Sequence, residues 1–249
     1  MFIKLIMNTT LNYSPNFDTK KRKSKQIKFV IFHYTGMRRE KDAIDKLTNK
    51  RSKVSCHYFI KNNGEILTLV PELYIAWHAG FSFWKSYKSI NKFSIGIELS
   101  NPGHGHNYKK FPKKQIYSLL KISKILMTKY KIKPYFFLGH SDIAPNRKKD
   151  PGEKFPWKYL SKYKIGVWHN LNQNLLKKKR NIKILNKEKI NFFKNLSQIG
   201  YPIIRYTRKN KYERLLIKAF QRRFRQELIN GYVDLECLLI SNNLVKNIK

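Results

Sequence analysis

The run QIKFVIFHY, from Gln26 to Tyr34, limits the fold more than any other stretch of this chain. Its β-branched and aromatic residues follow one another almost without a polar break. A strand of that kind needs cover on both faces, so it belongs in the middle of a layered sheet. It carries His33 close to its C-terminal end. CHYFI (Cys56 to Ile60) and EILTLV (Glu65 to Val70) flank KNNG, whose Asn63-Gly64 pair predicts a hairpin. FSIGIEL (Phe93 to Leu99) brings Glu98 near its end, and YFFLGH (Tyr135 to His140) ends on His140. Helices are predicted over Glu40 to Asn49 and Pro112 to Lys131. The second has Ile116, Leu119, Leu120, Met127 and Tyr130 on one face and Pro112 in its first turn. The alternation predicts an α/β fold, a central mixed β-sheet flanked by helices, with His33, Glu98 and His140 brought to one sheet edge.

Beyond Trp168 the chain turns polar and basic (HNLNQNLLKKKRN) before three helical patterns: Glu188 to Ile199, Lys211 to Arg225 and Asp234 to Val245. The middle one aligns Leu215, Leu216, Ala219, Phe220 and Phe224, and Asp234 reads as an N-cap. The expected organisation is an α/β domain over 1–168, a basic linker over 169–185 and a small all-α domain over 186–249, packed on the first.

Composition excludes some functions and leaves others open. The formal charge of +38 invites a nucleic-acid partner. However, 34 of the 53 basic and 10 of the 15 acidic side chains fall in residues 1–168, so the excess follows chain length instead of gathering on one element. No specific nucleic acid is expected, although such a field attracts anionic ligands generally. No apolar run is long enough for a membrane span. The N-terminus MFIKLIMNTT lacks the apolar core of a secretory signal, which predicts a cytoplasmic protein, with a periplasmic or envelope location as the alternative. Cys56 and Cys237 have no metal or redox spacing. They read as buried thiols, in a strand and a helix, suited to a reducing compartment.

One loop stands out chemically. GHSDIAPNRKKDPGEKFPW, Gly139 to Trp157, places His140 and Asp150 ten positions apart among prolines that forbid regular structure. A catalytic zinc site takes three protein ligands and keeps one position open. His33, His140 and Asp150 would fill such a site, leaving Glu98 as acid and base and Lys148 to stabilise an oxyanion. On spacing alone each also has an ordinary reading: hydrogen-bonded histidines, a salt-bridged Glu98, and a solvated Lys148-Lys149 pair.

The ordered motifs FHYTGM, VSCHYFIKNNGEI, AWHAG, SIGIELSNPG and GHSDIAPNRKKDPGEKFPW resemble the zinc-dependent N-acetylmuramoyl-L-alanine amidases of the amidase 2 family, which includes the peptidoglycan recognition proteins. The resemblance spans roughly Tyr13 to Trp168. It implies one Zn2+ held by His33, His140 and Asp150, with Glu98 and Lys148 catalytic. It also implies cleavage of the amide between N-acetylmuramic acid and L-alanine in peptidoglycan or (anhydro-)muropeptides, in wall turnover or recycling. His57, Trp77 and His78 are substrate-cleft candidates, each with a structural alternative. His104 and His106 would rim the site. KAFQRRFRQELINGYVDLECLLISNNL resembles a helical peptidoglycan-binding domain. A non-catalytic peptidoglycan-binding protein and a basic nucleic-acid-binding protein are the competing readings. The complete set of five matched residues argues against the first, and the second rests on charge alone.

Overall fold

The computed structural model describes residues 9–203 and 209–248; the first eight residues, on which the location reading partly rests, fall outside that range. Among these residues ten strands form: β1 (Thr10–Leu11), β2 (Phe17–Asp18), β3 (Phe29–Tyr34), β4 (Tyr58–Ile60), β5 (Ile66–Thr68), β6 (Ile75–Ala76), β7 (Phe83–Trp84), β8 (Tyr87–Lys88), β9 (Ser94–Leu99) and β10 (Phe137–Gly139). Six build one mixed sheet in the order β1-β5-β4-β9-β3-β10. Only β4 and β5, joined by the KNNG turn, are antiparallel in it. The expected mixed α/β architecture is therefore present. The apolar run before Tyr34 is an interior strand, β3, with β9 and β10 parallel on either side.

Period-two alternation assigns the two faces. Val30 and Phe32 of β3, Phe137 of β10 and Ile95, Ile97 and Leu99 of β9 point into one core. The 18-residue helix α2 (Lys113–Tyr130) covers that core with Ile116, Leu119 and Leu120, while Met127 and Tyr130 pack at its border. Phe29, Ile31 and Leu138 point the other way, into a second core. On that face β9 offers only Ser94, Gly96 and Glu98, so the packing there is thin and polar. His33 and Glu98 are direct register partners on it. His140 follows Gly139, the partner of Phe32, and so arrives beside them.

The helices are α1 (Glu40–Thr48), α2, α3 (His140–Ile143), α4 (Trp157–Ser161), α5 (Gln173–Lys179), α6 (Asn186–Ile199), α7 (Lys209–Phe224) and α8 (Leu235–Ile248). The second core joins Phe29, Ile31 and Leu138 of the sheet to Phe192, Leu196, Leu216, Phe220, Phe224 and Leu244 of α6, α7 and α8. One continuous apolar cluster thus spans the sheet and the C-terminal helices. Each fully buried phenylalanine in it contributes about 2–3 kcal/mol of transfer free energy.

Several local expectations shift. The basic link contains α5, anchored through buried Leu176. Tyr135 and Phe136 lie in a 3-10 turn ahead of β10, and Pro112 caps α2 from outside the helix. Cys56 is buried, but in the extended segment before β4 instead of within a strand. On α7 the buried stripe includes Ile217, with Leu215 only half-buried, because α7 is packed by α6 and α8 as well as by the sheet. Asp234 caps α8 as expected, its carboxylate accepting from the Cys237 N–H at 3.0 Å.

Candidate active site

The C-terminal edge of β3, β9 and β10 opens into a cavity of about 440 Å³ lined by His33, Glu98, His140, Lys148 and Asp150, together with Trp77, His78 and His104. All five residues expected to carry the chemistry therefore meet at one place. His33 Nδ1, His140 Nδ1 and Asp150 Oδ2 form a triangle with sides of 3.0, 3.0 and 3.1 Å. Asp150 returns to His140 as the prolines suggested: its carbonyl accepts from the Ser141 N–H at 2.8 Å, and the Asp150-Pro151 peptide is cis.

Hydrogen bonds around this triangle fix where the protons are. Ser94 spends its single hydroxyl proton on the Ile90 carbonyl (2.8 Å), so His78 Nε2, 3.1 Å away, must donate to Ser94 Oγ. His78 Nδ1 is then an acceptor, and it takes the proton of His33 Nε2 at 3.1 Å. His140 Nε2 donates to the Ala79 carbonyl at 3.1 Å. Both Nδ1 atoms consequently carry lone pairs and face each other and a carboxylate with no proton to share. Three donors of one tetrahedral zinc at about 2.0 Å stand roughly 3.3 Å apart, close to the triangle observed. The residues present fit a metal ion, and the backing of each ring by a hydrogen-bond acceptor is the arrangement that orients metal-binding histidines. Among the described residues, this is the one cluster of three or more such side chains with this spacing.

Electrostatics agree. Burial and the neighbouring His140 pull His33 down to about 4, against the attraction of the nearby Asp150 carboxylate, so the ring is neutral at pH 7. Burial would push the Asp150 carboxyl up, but its close contacts with His140 and His33 hold it well below the usual carboxylate range. The group therefore presents a carboxylate and two ring-nitrogen lone pairs to a cation. Glu98 keeps some exposed surface at the cavity wall, yet its Oε2 is shielded from water and has no hydrogen-bond partner among the described residues. Burial, reinforced by the charge of Asp150 and opposed by Lys148 and Lys46, pushes its carboxyl up to about 8.

The three substrate-cleft candidates are placed differently. Trp77 lines the cavity, half-buried, with its indole N–H donating to Asp18 at 2.7 Å. His78 lines it from behind His33. Gly96 makes that position available, because a Cβ there would sit 2.4 Å from the His78 ring. His57 is fully buried and does not reach the cavity. It accepts from the Gly96 N–H at 3.0 Å and faces the Tyr74 carbonyl, its charge suppressed by burial and by Arg22. His104 rims the cavity between the Tyr34 hydroxyl (2.8 Å) and Glu153 (3.0 Å), and His106 is exposed.

Sequence reasoning missed Arg147, which ties the loop carrying Asp150 to the Ala79 and Phe81 carbonyls. It also missed the supporting role of Ser94. The one signal for Ser94 was its place on the small, polar side of β9.

A profile of the family described as N-acetylmuramoyl-L-alanine amidase matches residues 23–153. The N-acetylmuramoyl-L-alanine amidase AmiD of Escherichia coli K12 is 34% identical over 236 residues, covering 89% of this chain and 83% of AmiD. The 1,6-anhydro-N-acetylmuramyl-L-alanine amidase AmpD of Haemophilus influenzae is 35% identical over 170 residues, covering 61% of this chain and 90% of AmpD. The solved structure of E. coli AmiD with the substrate anhydro-N-acetylmuramic acid-L-Ala-D-γ-Glu-L-Lys matches with a TM-score of 0.79 at 32% identity, over 89% of this chain and 90% of that one. AmpDh3 from Pseudomonas aeruginosa, in complex with an anhydromuramic pentapeptide, matches with a TM-score of 0.78 at 27% identity, over 100% of this chain and 98% of that one. On the profile match, the identity to AmiD and the shared fold, the chain belongs to the N-acetylmuramoyl-L-alanine amidase family.

Proposed function

We propose that this protein is a zinc-dependent amidase that cleaves the bond between the lactyl group of N-acetylmuramic acid and L-alanine, with anhydro-muropeptides among its substrates. The observation that carries the reading is the meeting of three unprotonated donor atoms, His33 Nδ1, His140 Nδ1 and Asp150 Oδ2, beside the Glu98 carboxyl, whose Oε2 has no hydrogen-bond partner among the described residues. A zinc ion held there supplies Lewis acidity toward water and toward the scissile carbonyl. Glu98 takes the proton of the attacking water and hands it to the departing alanine nitrogen. Its burial makes the carboxylate a stronger base than one in water, as that task requires. Lys148 lines the same cavity and offsets charge on the tetrahedral oxygen. Trp77 bounds the cavity for the sugar or peptide, and the basic surroundings attract the carboxylates of a stem peptide.

The anhydro-muropeptides bound in the AmiD and AmpDh3 structures support that substrate class. The two buried free thiols favour a reducing compartment, so we place the enzyme in the cytoplasm; recovery in an osmotic-shock fraction would contradict that placement. The activity is tested by incubating the zinc-loaded protein with anhydro-N-acetylmuramyl tripeptide and weighing the products. A free tripeptide and anhydro-N-acetylmuramic acid are expected, and scission within the peptide or no scission would overturn the assignment.

A further inference from the structure

The turn that presents His140 is gripped from outside the sheet. Asp142, two residues beyond His140 and 1% exposed, accepts from the Gly139 N–H at 2.8 Å, from the Tyr201 hydroxyl at 2.7 Å and from the Arg223 guanidinium at 2.5 Å. Arg223 also donates to the Phe137 carbonyl of β10 at 3.1 Å and lies 4.1 Å over the Trp157 ring. Tyr201 precedes α7 and Arg223 belongs to its last turn, so both come from the C-terminal helical segment. Their contacts bracket His140, with Phe137 before it and Asp142 after it. The same turn carries the second ligand: the Ser141 N–H holds the Asp150 carbonyl, and Gly139 lies so close to Pro151 that a Cβ would meet its Cδ at 2.6 Å.

The polar side chains of KAFQRRFRQ divide their labour. Gln221 and Arg225 hold the helical segment to itself: Gln221 binds the Gly231 N–H and the Tyr232 carbonyl, and Arg225 pairs with Asp234. Arg223 is turned toward the sheet. An apolar pair would hold two packed elements together as well as a buried ion pair does, and without desolvating charges, so a buried pair of this kind serves geometry better than cohesion.

We propose that Tyr201 and Arg223 are positioning residues of the hydrolytic site. Through Asp142 they set the direction of the His140 ring and, through Ser141, the place of Asp150. The C-terminal helices are then part of the metal site's support, beyond any part in wall binding. This rests on the assignment of His140 and Asp150 as ligands.

The test is a zinc titration of the metal-free full chain against a competing chromophoric chelator, with thermal unfolding recorded in parallel. Tyr201→Phe keeps the ring and loses one hydrogen bond to Asp142. Arg223→Lys keeps the charge but cannot bridge Asp142 and the Phe137 carbonyl together. Both are expected to weaken zinc binding by about tenfold, the lower end of the effect of outer-shell partners, to shift the visible bands of the cobalt-substituted protein, and to lower kcat more than they change KM. Leu244→Ala, in the same apolar cluster but away from Asp142, is expected to lower the unfolding temperature while leaving zinc affinity and cobalt bands at parental values. Parental affinity and bands in Tyr201→Phe and Arg223→Lys, or an equal loss in Leu244→Ala, would overturn the positioning role while leaving the ligand assignment standing. Parental zinc affinity in His140→Ala would overturn the ligand assignment, and this proposal with it.

Discussion

Replacing Glu98 with glutamine separates what the residue does for the reaction from what it costs the fold. Burial raises the Glu98 carboxyl from 4.5 to about 8 in the metal-free protein. Because the folded chain holds this proton more tightly than the unfolded chain, the stability linked to it is intact below about pH 4.5 and is lost as the pH climbs toward 8. At about 1.4 kcal/mol per unit, the loss reaches on the order of 5 kcal/mol by pH 9. Glutamine has the same size and cannot ionise. Metal-free Glu98→Gln is therefore expected to unfold with the parent at pH 5 and on the order of 10 °C above it at pH 9. Unfolding of chelator-treated protein across that range reads this difference directly. The zinc-loaded variant is expected to lose about two to four orders of magnitude in turnover with its zinc retained. A variant less stable than the parent at pH 9, or one turning over within a factor of ten of it, refutes the reasoning.

Two further outcomes follow from the cavity. Lys148→Ala is expected to lower kcat with little change in KM, because a cation aimed at a developing oxyanion acts in the transition state. Lys149→Ala serves as its control, and a larger loss at Lys149 would reverse the assignment. Ser94→Ala removes the acceptor that fixes the His78 proton and, through it, the lone pair on His33 Nδ1. Zinc affinity is expected to fall about tenfold, and an unchanged affinity would show that this chain of hydrogen bonds does not set the ligand.

The convergence of His33, Glu98 and His140 was readable because three apolar runs each ended on one of them. Strands that all run parallel deliver their C-terminal ends to one edge, and alternation puts His33 and Glu98 on one face. The nearness of Asp150 to His140 was suggested by the prolines of their loop, whereas the bond from Ser141 that completes it leaves no mark in the sequence. His78 was read as a cleft residue, and its place behind His33 depends on Gly96 of a different strand, a contact that no local pattern encodes. Arg223 was hidden by its company: in a chain with 53 basic residues, a cation committed to a buried carboxylate looks like any other. The boundary after Trp168 followed a real change in composition. Composition does not report that Phe220 and Phe224 share a core with Phe29 and Ile31, since packing between distant elements is decided by shape.

The central claim is that His33, His140 and Asp150 together hold one zinc ion on which hydrolysis depends. The direct measurement is zinc per chain by elemental analysis, alongside muropeptide cleavage, for the parent and for His33→Ala, His140→Ala and Asp150→Ala, each confirmed as folded by circular dichroism. The account predicts one zinc in the parent, loss of zinc in each variant, and cleavage lost with it and lost likewise when a chelator strips the parent. Full zinc occupancy in folded His33→Ala or His140→Ala, or undiminished cleavage by the stripped parent, would contradict it.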